Sequence, residues 1–239
     1  MKREIAWREA QTEALMEAKT QEAFFAAVAK AGKELGFEYC AYGLRMPLPI
    51  SNPRMMLLNN YSTEWQERYV SQNYLSIDPT VQHGIHSVLP LVWSKALFES
   101  TPEFWEDAHS NGLRHGWAQS SYDAKGNVGM LTLARSRDEL TQTELRDNSP
   151  RLTWLVQAVH EAGVRLATSQ REAAPPIVLT AREAEVLRWT AEGKTSGEVG
   201  QIMDISERTV NFHVTNALVK LGVVNKTAGV VKAVLLRLI

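Results

Sequence analysis

Four large aromatics, Tyr61, Trp65, Tyr69 and Tyr74, fall within fourteen positions of "NNYSTEWQERYVSQNYLSIDPTV" (59–81), and beside them stands Asp78, followed by Pro79. Rings at that density ordinarily build a core. A carboxylate among them costs several kcal/mol to bury unless something donates to it. Read from the residues alone, Tyr61, Trp65 and Trp93 fit a plain core, with Asp78 capping a turn before Pro79. They also fit the wall of a pocket that brings in the missing donor, and the residue types leave both readings open.

A second set lies near the other end. On a helix over 207–221, at about 100° per residue, Val210, Val214, Ala217, Leu218 and Leu221 gather on one side. The opposite side carries Arg208, Phe212, Thr215, Asn216 and Val219, with Asn211 on the flank. A merely solvated face would be charged; amides, a hydroxyl and two apolar groups instead fit the base edges and thymine methyls of a major groove. The helix N-terminus, with Lys194, Thr195, Lys220 and Lys226 nearby, can hold phosphates. The alternative is a helical module whose Phe212 and Val219 touch another protein.

Other candidates fall away. His83 and His86 form an H-x-x-H with no third ligand at zinc spacing, so no metal is expected. Ser120 and Ser121 lie near Asp123 without a G-x-S-x-G or a strand–turn–helix context, and no glycine-rich phosphate loop is present. An enzyme is not expected.

The chain has 239 residues, 44% hydrophobic and 22% charged, as expected of a soluble globular protein of one large or two ordinary domains. No apolar run is long enough to span a membrane. The charged N-terminus lacks a secretory signal, and the single Cys40 suits a reducing cytoplasm. A net charge of −1 hides an asymmetry. Residues 207–239 hold five basic groups against Glu207 alone, while residues 1–168 hold 17 basic and 20 acidic groups.

The elements that must position these groups divide at "ATSQREAAPP", closed by two prolines that no helix interior accepts. Before it, residues 9–35 read as a helix, "FEYCAYGLRM" and "RMMLLNN" as strands, and "WAQSSYDAKGNVGMLTLAR" as a hairpin. Helix patterns return at 103–111 and 150–167. Thr63 with Gln66 reads as a capping box that starts a helix bearing Trp65 and Tyr69 on one face. The expected fold class is α+β: an N-terminal α/β/α sandwich with an antiparallel sheet, then an all-α four-helix helix-turn-helix domain. Thr180 with Glu183, and Thr195 with Glu198, read as capping boxes, and Ser206 as the N-cap of the outward-facing helix. The expected domains are 1–168 and 177–239, joined by a linker at 169–176.

The run "LTAREAEVLRWTAEGKTSGEVGQIMDISERTVNFHVTNALVKLGVVNK" resembles the DNA-binding module of LuxR-type regulators. "ELGFEYCAYGL", the Tyr61–Trp65–Asp78-Pro79–Trp93 series, Gly112-Leu113 and "GNVGMLTLAR" are similar to the autoinducer-binding domain of the quorum-sensing members, and "GFEYCAYGLRMPLP" and "ERTVNFH" lean toward the CepR-like branch. The resemblance implies an N-acyl-homoserine lactone ligand and no other cofactor. Trp65 would donate to the lactone carbonyl, Tyr61 and Thr132 to the amide carbonyl, and Asp78 would accept from the amide N–H. Trp93, Tyr69, Phe104, Trp105, Ala108 and Leu113 would line ring and tail. Thr132 departs from the serine frequent in relatives. The resemblance also implies a cytoplasmic homodimer on pseudo-palindromic DNA, contacting RNA polymerase, with Lys194, Thr195, Arg208, Thr209, Asn211, Phe212, Thr215, Asn216, Lys220 and Lys226 at the DNA. The apolar stripe of helix 150–167 (Leu152, Leu155, Val156, Val159, Leu166) is expected in the dimer interface. The contrasting reading is a ligand-independent regulator whose aromatic cluster is only core.

Overall fold

The computed structural model describes residues 2–169 and 177–239, so all but the first residue of the expected linker 169–176 lies outside the described residues. The chain forms two compact units, Met1–Arg171 and Glu172–Ile239.

The first unit is built on a five-stranded antiparallel sheet with the order β2-β1-β5-β4-β3. Its strands are β1 (Tyr39–Arg45), β2 (Met55–Asn59), β3 (Leu91–Val92), β4 (His115–Tyr122) and β5 (Val128–Arg135). Because side chains alternate along a strand, the register divides the sheet into two faces. Cys40, Tyr42 and Leu44 of β1, Trp117 of β4, and Leu131 and Leu133 of β5 share one core with α1 (Lys2–Glu17), α2 (Gln21–Glu34) and α6 (Gln142–Ser169). Ala134 of β5 turns the other way, toward α3 (Thr63–Ser71) and α5 (Pro102–Ser110). A 3-10 turn, Tyr74–Ser76, leads from α3 to α4 (Pro79–His86).

Three expectations of the sequence are corrected here. The pattern over 9–35 is two helices, because Thr20 caps a new one by accepting from the Ala23 N–H. Helix α3 is capped by Ser62, which accepts from the Trp65 N–H at 3.2 Å, while Gln66 Nε2 donates to the Tyr61 carbonyl; the Thr63–Gln66 capping box does not form. The third concerns α6, which starts at Gln142 rather than 150 and carries Pro150 in its interior. Thr141 Oγ1 accepts from the Glu144 N–H, and Arg135 grips the Glu144 carboxylate at 2.7 Å, so the first two turns are held despite the proline. Leu152, Leu155, Val156, Val159 and Leu166 are at most 2% exposed within their own domain. That stripe covers the sheet. Burying each such side chain is worth about 1.5–3 kcal/mol to the fold, and none is free for a partner.

The second unit is four helices: α7 (Ala181–Ala191), α8 (Ser196–Met203), α9 (Glu207–Leu221) and α10 (Lys226–Leu235). Both capping boxes form, Thr180 with Glu183 and Thr195 with Glu198, and Ser206 accepts from the Thr209 N–H. Val186, Val199, Met203, Val210 and Val214 make one core cluster; Leu187, Ala217, Leu221 and Ala233 make another. Ala191, the last residue of α7, is exposed, and Ile202 of α8 is 46% exposed.

Candidate functional site

Trp65 stands at the centre of the second face of the sheet, 2% exposed. Its ring centroid lies 5.8 Å from Tyr69, one helical turn on, 5.8 Å from Tyr74 and 5.6 Å from Phe104. Phe98 continues the cluster, stacked on Phe104 at 5.6 Å and Trp105 at 4.4 Å, with Trp93 edge-on at 5.9 Å. Ala108, Leu113 and Ala134 complete the buried part, and Tyr61 packs at its rim, 6.3 Å from Tyr39. Trp93 lies flat over Gly116: a Cβ there would come within 2.2 Å of the indole, so only glycine lets the ring reach the sheet. The Trp93 Nε1 is buried and has no hydrogen-bond partner among the described residues.

Asp78 joins this cluster through Tyr69, whose hydroxyl donates to Oδ2 at 2.9 Å. Its Oδ1 accepts from the backbone N–H of Thr80 at 2.8 Å and from the Thr80 hydroxyl at 2.7 Å, making Asp78 the N-cap of α4. The expectation that the partner of Asp78 is absent from the chain is therefore corrected, since Tyr69 and Thr80 both donate to it. Oδ1 takes both Thr80 donors, whereas Oδ2 takes only the Tyr69 hydroxyl, so Oδ2 can accept a further N–H from outside the chain. Burial pushes the Asp78 carboxyl above its ordinary pKa, and the donors from Thr80 and Tyr69 pull it part of the way back. Burial likewise raises Tyr61 and Tyr69, and the nearby charge of Asp78 adds to both, so both hydroxyls stay protonated and able to donate.

Thr132, 7% exposed, sits in β5 between Ala41 of β1 and Ala118 of β4 and shares the face of Ala134. The sequence-named set thus falls on one sheet face: Tyr61, Trp65, Tyr69, Trp93, Phe104, Trp105, Ala108 and Leu113 in one aromatic cluster, Asp78 bonded to it, and Thr132 on its floor. Phe98 was missed, because a lone phenylalanine in "SKALFES" carries no periodic signal. Tyr74 proves structural at its polar end: its hydroxyl and Arg68 both bond Asp107, tying α3 to α5. Two surface depressions, of about 290 Å³ between β4 and α6 and about 390 Å³ on α1, involve none of these residues and belong to the opposite side of the sheet.

In the second unit Arg208, Asn211, Phe212, Thr215 and Val219 form an exposed face of α9, Phe212 at 61% and Val219 at 75%, with Asn216 and Thr209 half-buried beside them. Six of the named groups are engaged within the domain. Asn211 Oδ1 accepts from Ser196 Oγ at 2.8 Å, the Thr215 hydroxyl donates to the Asn211 carbonyl at 2.9 Å, and the Thr209 hydroxyl pairs with that of Ser206 at 2.8 Å; Lys220, Thr195 and Lys226 are held too. Lys220 Nζ donates to the buried Glu183 carboxylate at 2.7 Å, with its own side chain 37% exposed. Burial alone would raise the Glu183 carboxyl, but Lys220 and the Thr180 donors outweigh it and hold it below the ordinary value. Thr195 is occupied as the N-cap of α8, and Lys226 Nζ donates to Ser196 Oγ at 2.6 Å. Lys194 is exposed.

The family model described as autoinducer binding domain matches residues 20–163, and that of bacterial regulatory proteins, luxR family, matches 177–233. The transcriptional activator protein AnoR of Acinetobacter nosocomialis is 45% identical over 98% of this chain and 99% of its own. The crystal structure of SdiA from Escherichia coli aligns with a TM-score of 0.78 at 30% identity, covering 98% of both chains. CepR2 of Burkholderia cenocepacia, an N-acylhomoserine lactone dependent LuxR family factor, aligns with a TM-score of 0.62 at 34% identity over 72% of this chain and 98% of its own.

Proposed function

Because this chain belongs to the autoinducer-binding LuxR family of transcriptional regulators, we propose that the aromatic face of its first domain, with Asp78, receives an N-acyl-homoserine lactone and that the outward face of α9 reads DNA in response. The protein is a quorum-sensing transcription factor and not an enzyme. The observation that carries the ligand reading is the buried Asp78 carboxylate, fixed by Tyr69 and Thr80, whose Oδ2 holds only the Tyr69 hydroxyl and so can accept once more at the edge of a cluster of rings. A ligand amide N–H completes it. Trp65 and Tyr61 supply donors for the two carbonyls, Thr132 a hydroxyl from the sheet, and Trp93, Tyr69, Phe104, Trp105, Ala108 and Leu113 the walls.

On DNA, the exposed Arg208, Asn211, Phe212 and Thr215, with the half-buried Asn216, meet base edges and methyls, while Lys194, Thr195, Thr209 and Lys226 lie toward phosphates. Lys220 contributes to that surface mainly by securing Glu183. The active species is a homodimer in the cytoplasm, its two recognition helices reaching half-sites about 34 Å apart, and it contacts RNA polymerase there. Its dimer contact lies outside the α6 stripe, whose side chains are consumed by the core. The test is binding of the full chain to a palindromic operator fragment, with and without lactone. Lactone-dependent binding at two half-sites supports the reading; identical binding with and without lactone supports the ligand-independent alternative.

A further inference from the structure

Ser120 is 2% exposed, and its hydroxyl has no hydrogen-bond partner among the described residues. It lies in β4 directly opposite Met130, and two residues from Ala118, which stands opposite Thr132. It therefore faces the same side of the sheet as Thr132 and the aromatic cluster. A Cβ on Gly84 of α4 would meet Ser120 Oγ at 2.4 Å and Met130 Sδ at 2.9 Å, so hydroxyl and thioether lie together beneath that helix.

The sheet face is closed at one end and opens at the other. Ala134 is fully buried against Phe104 and Leu113, Thr132 is 7% exposed, and Met130 is half-buried. Beyond it, toward the edge strand, Met55 and Leu57 are 58% and 57% exposed. An acyl chain whose amide is held between Asp78 and Thr132, and which runs along this face toward Met130, passes Ser120, whose hydroxyl is an orphaned polar group there. Diagonal neighbours across a strand pair stand about 7–8 Å apart. Two hydrogen bonds of about 2.8 Å, with the short span between oxygens on the first and third carbons of an acyl chain, bridge that distance.

We propose that the acyl chain this receptor takes carries an oxygen, keto or hydroxyl, on its third carbon, and that Ser120 Oγ is the group that bonds it. The inference rests on the lactone reading above and extends it to the class of chain. A buried hydroxyl without a partner is unfavourable, and a ligand oxygen removes that penalty where a bare methylene cannot.

The test is equilibrium competition on the full chain, with matched unsubstituted, 3-oxo and 3-hydroxy acyl-homoserine lactones at each even length from six to twelve carbons. The wild type is expected to prefer one oxygenated form over its unsubstituted match by about tenfold, and whichever form wins names the substituent. Ser120→Ala should bring that ratio to within about twofold by weakening the oxygenated ligand. A wild-type ratio within about twofold at every length overturns the inference while leaving the lactone reading intact, as does a ratio that survives in Ser120→Ala. Failure of every lactone to bind overturns both. The wild-type ratio needs no variant, so the test stands even if Ser120→Ala folds poorly.

Discussion

Replacing Asp78 by asparagine separates its two duties. Asparagine is as good an N-cap as aspartate, and its Oδ1 can still accept from the Thr80 N–H now bonded at 2.8 Å, so α4 should keep its start. The second oxygen becomes an amide that donates, which forces the Tyr69 hydroxyl, now donating at 2.9 Å, to turn and accept. Removing a buried charge also relieves the desolvation that raises this carboxyl. The free protein should therefore change in stability by less than about 1 kcal/mol. The ligand loses more, since its amide N–H forfeits a charged acceptor worth about 1.5–3 kcal/mol, or roughly 10–150-fold in Kd. Calorimetric titration with a lactone and urea unfolding of the free chain read the two effects apart. Asp78→Ala provides the contrast, losing the cap as well at about 1 kcal/mol further cost. Binding by Asp78→Asn within twofold of wild type would refute the acceptor role. A loss of free-protein stability as large as the loss of binding would show that Asp78 serves the fold alone.

Three further outcomes follow from the same geometry. Lys220→Met leaves the 4% exposed Glu183 carboxylate without its cation and should lower the urea stability of the second domain by about 1–3 kcal/mol. Because the Glu183 carboxyl is held below its ordinary value, the wild-type contribution is present above about pH 4.5 and is lost as pH falls through the lowered value; the variant should lack that acid step. His160, 3% exposed with Nδ1 3.3 Å from the Tyr42 hydroxyl, is held below the ordinary histidine value by burial, against the pull of Asp123 and Glu161. The unfolded chain then takes up a proton that the folded one resists, so thermal stability should fall as pH drops below about 6.5, and His160→Gln should flatten that slope. Arg208→Ala and Phe212→Ala, both on exposed side chains of α9, should leave unfolding within about 0.5 kcal/mol of wild type. Each should weaken operator binding by about 1–3 kcal/mol in a fluorescence anisotropy titration.

Much of this was legible in residue order, where the interaction is local. The capping boxes at Thr180 and Thr195, and the shared face of Trp65 and Tyr69, depend on residues three or four apart, and helical spacing dictates such contacts. What order could not disclose is which distant groups meet. Asp78 finds Tyr69 because a 3-10 turn folds the chain back on α3, and Glu183 finds Lys220 from two helices away. The α6 stripe shows the same limit from another side. Periodicity identifies an apolar face but not its cover, and here the cover is the domain's own sheet rather than a second subunit. The break at Thr20 was hidden because apolar residues keep helical spacing on both sides of it, Ala14 and Ala18 before and Phe24 and Val28 after.

The most direct test of the receptor reading is to express the full chain in cells supplied with mixed acyl-homoserine lactones, purify it, extract it with organic solvent and weigh what is released. The account predicts about one lactone per chain from the wild type and much less from Asp78→Asn prepared in parallel. Wild-type protein that is folded and binds operator, yet releases no lactone, or no more than the variant does, would contradict it.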